Sequence, residues 1–182
     1  MRHSDPATPP PALAGAAGYR FALVVSSFNQ GVTQSLAEAA RAALAEAGAA
    51  PGDVEEVAVP GAYELPQAAR CLAETGRFDA VVCLGCVIRG ETPHFEFISS
   101  AVAHGIMQAA GETGVPIAFG VLTTDTQAQA EERAGAGPEN KGWEAAAAAI
   151  DMAVLFRKLG RAPAKAGAGR AFGFEPSPRN NG

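Results

Sequence analysis

The chain has 182 residues, of which 48% are hydrophobic, and a formal net charge of −5. This length predicts one domain with a sizeable core, and a negative chain without a dense basic cluster argues against nucleic acid or a membrane surface as partner. No apolar run reaches transmembrane length, and no continuous apolar segment of a secretory signal stands at the N-terminus. We therefore expect a cytoplasmic protein.

The chain divides by composition into three parts. Residues 1–17, rich in proline and alanine, predict a flexible N-terminal extension. Residues 161–182, first rich in alanine, glycine and proline and then polar, predict a disordered C-terminal tail. Residues 18–160 between them predict a single α/β domain.

Within this domain, apolar runs alternate with helical patterns. Strands are predicted at Tyr19–Ser26, Val54–Val59, Phe78–Leu84 and Pro116–Leu122. Helices are predicted from Asn29 to Gly48, Tyr63 to Thr75, Thr92 to Gly111, Thr126 to Arg133 and Gly142 to Leu159. The apolar side of the last helix is predicted to carry Trp143, Ala147, Ile150, Val154 and Leu155. The alternation predicts a three-layer α/β/α fold around a four-stranded parallel sheet.

Polar and aromatic residues follow the ends of these strands, and parallel strands end at one edge of a sheet, where α/β proteins bind ligands. Phe28 could stack there on a planar heterocycle or instead fill the core. Glu64 could accept hydrogen bonds from hydroxyl groups or instead stabilise the start of a helix.

The segment Gly85–Glu96 predicts a tight turn between strand and helix. Gly85 would let the backbone bend, Thr92 would cap the helix and Pro93 would take its first position. The free N–H groups of a helix start favour an anion, and His94, in the same turn, can transfer protons near neutral pH. The alternatives are that the turn has only a structural role and that His94 is an ordinary surface histidine.

Three further residue types could carry chemistry. Arg133 could clamp a phosphate or instead form local ion pairs on a solvated face, and Lys141 would ordinarily be a surface lysine. Cys83 and Cys86 form a C-x-x-C pattern, but residues three apart in a strand point to opposite faces, so their sulfurs would not share a metal ion. We expect all three cysteines (Cys71, Cys83 and Cys86) to be small buried residues.

The sequence GCVIRGETPHFE at Gly85–Glu96 resembles the signature of the lumazine synthase family. Three further motifs occur in the family's order over residues 19–160: Ser26–Asn29, Pro60–Glu64, and Gly120–Thr124 running on to Arg133 and to Asn140–Glu144. The resemblance implies a flavodoxin-like fold. It also implies condensation of 5-amino-6-(D-ribitylamino)uracil with 3,4-dihydroxy-2-butanone 4-phosphate to 6,7-dimethyl-8-ribityllumazine, releasing phosphate and water, the penultimate step of riboflavin biosynthesis.

The resemblance also implies the site residues. His94 would be catalytic, as proton carrier. The pyrimidine and the ribityl chain would be bound by Phe28, Asn29, Gly61, Ala62, Tyr63, Glu64, Val87, Ile88, Phe119 and Lys141. The phosphate would be bound by Glu91, Thr92 and Arg133, while Glu144 would orient His94 or Lys141. No cofactor and no metal are implied.

For partners, the resemblance implies a homopentamer with sites between subunits, in which Phe119, Lys141 and Arg133 come from the adjacent chain. Assembly into a decamer or a 60-subunit shell stays open, as does riboflavin synthase as a partner. A non-catalytic flavin- or lumazine-binding module is the alternative function. A flavodoxin-like redox protein fits less well, because Ser26–Asn29 does not resemble a phosphate loop.

Overall fold

The structure is a computed structural model, and it describes residues 13–160. Its helices and strands are β1 (Phe21–Ser26), α1 (Gln30–Glu46), β2 (Val54–Val59), α2 (Leu65–Glu74), β3 (Ala80–Ile88), α3 (His94–Thr113), β4 (Ile117–Thr124), α4 (Gln127–Arg133) and α5 (Lys141–Lys158). Short 3-10 turns at Pro51–Asp53 and Ala62–Glu64 lead into β2 and α2. None of these helices is long and apolar enough to cross a membrane. The predicted tail, 161–182, lies outside the described residues.

All four strands are parallel, in the order β2-β1-β3-β4. β1 and most of β3 are buried on both faces, as expected for apolar runs in the middle of a parallel sheet. The chain order reverses between β1 and β3, and at such a point the carboxyl ends of the strands border a crevice. The predicted α/β/α fold with a four-stranded parallel sheet is confirmed.

Helices cover the sheet on both faces and bury two separate cores. The first core lies under α1, α4 and α5 and contains Leu36, Ala130 and Ile150. The second core lies under α2 and α3 and contains Leu65 and Val102. The sheet therefore separates side chains carried by α4 and α5 from those carried by α2 and α3.

β3 is longer than predicted. The strand continues through Gly85 to Ile88, so the bend predicted at Gly85 is wrong. A Cβ atom at Gly85 would lie 2.8 Å from Leu65 Cδ1. Glycine is needed here because the first turn of α2 packs closely against the strand, and the extension carries the following turn beyond the end of β1.

Residues 13–17, part of the predicted N-terminal extension, pack on the domain. Ala16 is fully buried, and its N–H donates to the carbonyl of Ala47 at the end of α1 (2.8 Å). At the same end of the sheet, Arg157 donates to the carbonyl of Gly18 and pairs with Asp79. The residues before Leu13 lie outside the described range.

Candidate active site

Phe28 and Asn29 form the turn from β1 to α1. The Phe28 side chain is 68% exposed, so the alternative that it fills the core is wrong. Asn29 adopts the left-handed conformation (φ 56°), which asparagine tolerates better than most residues, and its Nδ2 donates to the carbonyl of Cys86 (3.0 Å). Asn29 thus ties to β3 the turn that carries Phe28.

The last residues of β3 offer backbone groups to the same place. The N–H of Arg89 donates to Thr124 of β4, and backbone groups alternate between the two neighbours along a strand, so Val87 also faces β4. Ile88 consequently faces the side of β1. Because the pairing of β1 with β3 ends at Leu84, the N–H of Ile88 points into the space beyond the end of β1.

The segment after β2 places a carboxylate at this edge. Ala62 is buried and Tyr63 is 61% exposed. Glu64 Oε2 lies 3.0 Å from the position that a Cβ atom at Gly61 would occupy, so the absence of a side chain at Gly61 leaves room for the carboxylate. Glu64 stands at the cap position of α2 without a side-chain cap hydrogen bond, so the alternative that its charge stabilises the helix start stays a prediction.

The turn from β3 to α3 begins the helix one residue later than predicted. Pro93 occupies the cap position with non-helical angles, His94 is the first helical residue, and Thr92 makes no capping hydrogen bond. The prediction that Thr92 caps α3 is therefore wrong. Glu91, Thr92 and His94 are all exposed. A helix start without a side-chain cap leaves N–H groups free to bind an anion.

Arg133, Lys141 and Glu144 lie in the layer of α4 and α5, on the other face of the sheet from Glu64 and His94. Arg133 Nη1 donates to the carbonyl of Gln129 (3.1 Å), so its guanidinium is held partly by its own helix. Lys141 forms an ion pair with Glu144, so within one chain Lys141 is the partner of that carboxylate.

Phe119 lies on the edge strand β4 and is 45% exposed. Its ring borders a shallow apolar groove beside α3, lined also by Ala103, Ile106, Met107, Ala110 and Ile117. Phe119 therefore opens onto the outer surface of the sheet edge, away from Phe28, which lies at the end of an inner strand.

The cysteines do not form a metal or redox site. Cys83 lies in the core under α2 and α3 and Cys86 in the core on the other face, as predicted. Burial raises the pKa of the Cys83 thiol to about 12 and that of Cys86 to about 11. Cys71 is exposed on α2, so the prediction of burial is wrong for this residue. Between residues 13 and 160, no cluster of three or more His, Cys, Asp or Glu side chains could hold a metal ion.

The carboxyl edge of the sheet thus presents an exposed ring, a carboxylate, free backbone N–H groups and a histidine. Together they can stack on a planar ring, hydrogen-bond hydroxyl groups, bind an anion and move a proton. Fold and edge together define the class: a flavodoxin-like α/β protein whose sheet edge could bind a small, planar or anionic ligand.

Comparison with known proteins identifies the family. The family model for 6,7-dimethyl-8-ribityllumazine synthase matches residues 18–157. A 6,7-dimethyl-8-ribityllumazine synthase of Syntrophus aciditrophicus (strain SB) is 53% identical over 144 residues, 79% of this chain and 94% of the relative. Another, of Salinibacter ruber (strain DSM 13855 / M31), is 53% identical over 142 residues, 78% of this chain and 91% of the relative. The chain belongs to the 6,7-dimethyl-8-ribityllumazine synthase family.

Membership makes the chain a transferase of riboflavin biosynthesis, as the sequence motifs predict. It supports the condensation that forms 6,7-dimethyl-8-ribityllumazine, and the alternative of a non-catalytic binding module is not favoured.

Proposed function

We propose that the carboxyl edge of the sheet is the place where this chain joins 5-amino-6-(D-ribitylamino)uracil to 3,4-dihydroxy-2-butanone 4-phosphate. Phe28 stacks on the pyrimidine, the N–H of Ile88 binds its polar edge, and Glu64 accepts hydrogen bonds from the ribityl hydroxyls. The observation that carries this assignment is the exposed Phe28 ring on the turn that Asn29 ties to β3, the strand at whose end the Ile88 N–H has no strand partner.

The remaining predicted residues complete the pyrimidine side. Gly61, Ala62 and Tyr63 offer backbone groups to the ribityl chain, and Val87 and Lys141 lie at the pyrimidine. Asn29 contributes by orienting Phe28, because its amide already donates to Cys86. Glu144 orients Lys141, to which it is paired.

The phosphate side uses the turn from β3 to α3. Glu91 and Thr92 contribute the backbone of the turn, Arg133 supplies a guanidinium that matches phosphate geometry, and His94 carries the proton. The exposure of Glu91, Thr92 and His94 and the uncapped start of α3 support these roles.

The reaction needs no enzyme nucleophile. The amine of the pyrimidine attacks the ketone and a first water leaves to give an imine. Phosphate then leaves, the ring closes and a second water is lost. Holding the two reactants in line can contribute roughly 7–11 kcal/mol to lowering the barrier. A positioned proton carrier such as His94 adds about 10²–10⁴-fold.

The site is completed by a neighbouring subunit in a homopentamer. Arg133 and Lys141 lie across the sheet from His94, so the arrangement of one chain favours their supply by an adjacent copy. Phe119 borders an open apolar groove, and Phe97 and Met107 on α3 are each about 70% exposed, which favours burial against another subunit. Head-to-tail contacts of this kind close into rings.

Mixing two impaired variants tests the shared site. In rings reassembled from equal amounts of His94→Ala and Arg133→Ala subunits, about one quarter of sites receive both native residues by chance if the residues come from neighbouring chains. Product formation should return to about that fraction of the wild-type rate. If both residues come from one chain, no native site forms and activity stays at the level of the separate variants.

A matched control uses two residues on the same side of the sheet edge. Mixing His94→Ala with Phe28→Ala should restore no activity, because both residues come from one chain in the proposed site.

We further propose a cytoplasmic location and riboflavin synthase as the partner that takes the product, both supported by membership of a biosynthetic family. Light scattering of the native protein distinguishes a pentamer from a decamer or a 60-subunit shell.

A further inference from the structure

Arg89, directly after β3, connects three groups around the turn that precedes α3. Its Nε donates to Asp125 Oδ1 in the turn after β4 (2.7 Å), and Nη1 pairs with the Glu96 carboxylate in the first turn of α3. The guanidinium carbon lies 4.2 Å from the centre of the Phe95 ring. One side chain thus joins the end of β3, the start of α3 and the end of β4.

The segment bridged by this side chain, residues 90–94, carries the proposed phosphate and proton chemistry. Gly90, Glu91, Thr92, Pro93 and His94 are all exposed, and no side chain caps the helix that follows. The backbone hydrogen bond from Arg89 to Thr124 fixes only the beginning of the segment. The contacts of the guanidinium with Phe95 and Glu96 fix its end.

We infer that Arg89 is a positioning residue for the phosphorylated substrate. It holds residues 90–94 so that the free N–H groups of the turn and the His94 ring meet the phosphate and the reacting atoms in fixed geometry. This inference rests on the proposed function, since it assumes that the phosphate binds at this turn. Nothing in it requires Arg89 to touch the substrate.

Two properties of the guanidinium make it suited to this role. Its flat, forked set of donors can serve two carboxylates at once while one face stacks on a ring, whereas a lysine ammonium is a point charge on a flexible stem. Exposed ion pairs add little stability, so the effect of losing these pairs should appear in binding geometry rather than in folding. A displacement of about 1 Å can cost roughly 10²-fold in rate.

The ionisation of Glu96 reports whether this network forms in solution. Hydrogen bonding to Arg89 lowers the pKa of the Glu96 carboxyl from its ordinary value of 4.5. In a carboxyl NMR titration, Arg89→Gln should raise that pKa back toward 4.5. This readout does not depend on activity.

The main test measures steady-state kinetics with each substrate varied separately. Arg89→Gln should raise KM for the phosphorylated substrate about tenfold or more and leave KM for the pyrimidine within about twofold. Arg89→Lys should restore little of the loss. Arg77→Gln is the matched control, because Arg77 also pairs with a carboxylate, Glu55, and stacks on a ring (4.7 Å) but lies at the opposite end of the sheet. It should change neither constant.

Removing a carboxylate separates positioning from direct binding. Asp125→Ala should raise KM for the phosphorylated substrate in the same direction as Arg89→Gln. If Arg89 instead bound the phosphate itself, loss of the competing carboxylate would lower that KM, and the inference would be overturned. Full recovery in Arg89→Lys, or equal effects on both KM values, would also overturn it.

The kinetics also separate this inference from the proposed function. If wild-type protein forms no product from the two substrates, the proposed function fails, whatever Arg89 does. If the wild-type protein turns over normally and Arg89→Gln keeps both KM values, only the positioning role fails. Melting curves of Arg89→Gln and Arg77→Gln that match the wild type exclude misfolding as the cause of any kinetic change.

Discussion

Gly142 lies where α5 crosses α1, and replacing it with alanine should separate the two helices. A Cβ atom at this position would lie 2.0 Å from the carbonyl oxygen of Leu36, far inside the ordinary contact range of 3.4–4 Å. The oxygen belongs to the backbone of α1 and cannot rotate away. The N–H of Gly142 is also held by Asn140 Oδ1 (2.7 Å), so the start of α5 cannot easily shift.

The magnitude follows from two opposing terms. Forcing extra volume into a packed core typically costs about 1–3 kcal/mol, and a backbone clash belongs at the upper end. Alanine gains up to about 1 kcal/mol over glycine inside a helix, and less in the first turn, where Gly142 lies. We expect Gly142→Ala to lower the free energy of unfolding by about 2–3 kcal/mol, which for a domain of this size lowers Tm by about 4–12 °C.

Chemical and thermal unfolding at equal protein concentration measure this change. Trp143, the only tryptophan of the chain, adjoins the altered position and provides a fluorescence signal. Gly111→Ala in α3 is the matched control, since apart from the neighbouring backbone of α3 no atom lies within 4 Å of the added Cβ. This substitution should leave the free energy of unfolding unchanged or raise it by up to about 1 kcal/mol. If Gly142→Ala unfolds like the wild type, or if Gly111→Ala is equally destabilised, the packing argument is wrong.

Three further predictions concern thiols, pH and substrate. At pH 8 a thiol reagent should modify only Cys71 in the folded chain and all 3 cysteines after unfolding. Reaction of Cys83 in the folded chain would contradict the burial of its thiol. Burial raises the thiol pKa values of Cys83 and Cys86 from 9.0 to about 12 and about 11, so these thiols ionise at lower pH in the unfolded chain than in the folded chain. The free energy of unfolding should therefore fall as pH rises above about 9, and a flat profile to pH 11 would contradict this. Arg133→Gln should raise KM for the phosphorylated substrate at least about tenfold, and an unchanged KM would remove Arg133 from the site.

Hydrophobic periodicity predicts the order and type of the elements well, because β1, β3 and β4 are mainly apolar runs bounded by turn residues. β2 is predicted with the observed bounds, Val54–Val59. The end of β3 is wrong because Gly85 resembles a turn residue, while its actual role, room for Leu65, depends on how α2 packs. Such contacts between distant segments leave no mark in local sequence.

The buried face of α5 shows a different limit. The prediction placed Val154 and Leu155 on its apolar side, but Leu155 is 44% exposed and the buried positions are mostly alanines, among them Ala146 and Ala149. Five consecutive alanines, Ala145–Ala149, give the first half of α5 little hydrophobic contrast, so the pattern cannot define a face there.

The candidate site could be predicted in part from the residues alone. Strand ends in a parallel sheet share an edge, which accounts for bringing Phe28, Glu64 and His94 to one side of the molecule. The residues alone mark Arg133 only as a possible phosphate clamp and give Lys141 no role, because both lie in the layer of α4 and α5, across the sheet from His94. Arg89 belongs to the motif at Gly85–Glu96, but its contacts with Glu96 and Asp125 depend on the relation of two turns in space.

The reaction itself is tested most directly by mixing the purified protein with both substrates. Fluorescence then follows the lumazine, while a separate assay follows inorganic phosphate. We predict that lumazine and phosphate appear in equal amounts, and that neither appears faster than in the enzyme-free control when one substrate is omitted. Tight binding of the pyrimidine without phosphate release above that control would contradict catalysis at the carboxyl edge of the sheet. That edge would then have only a binding role.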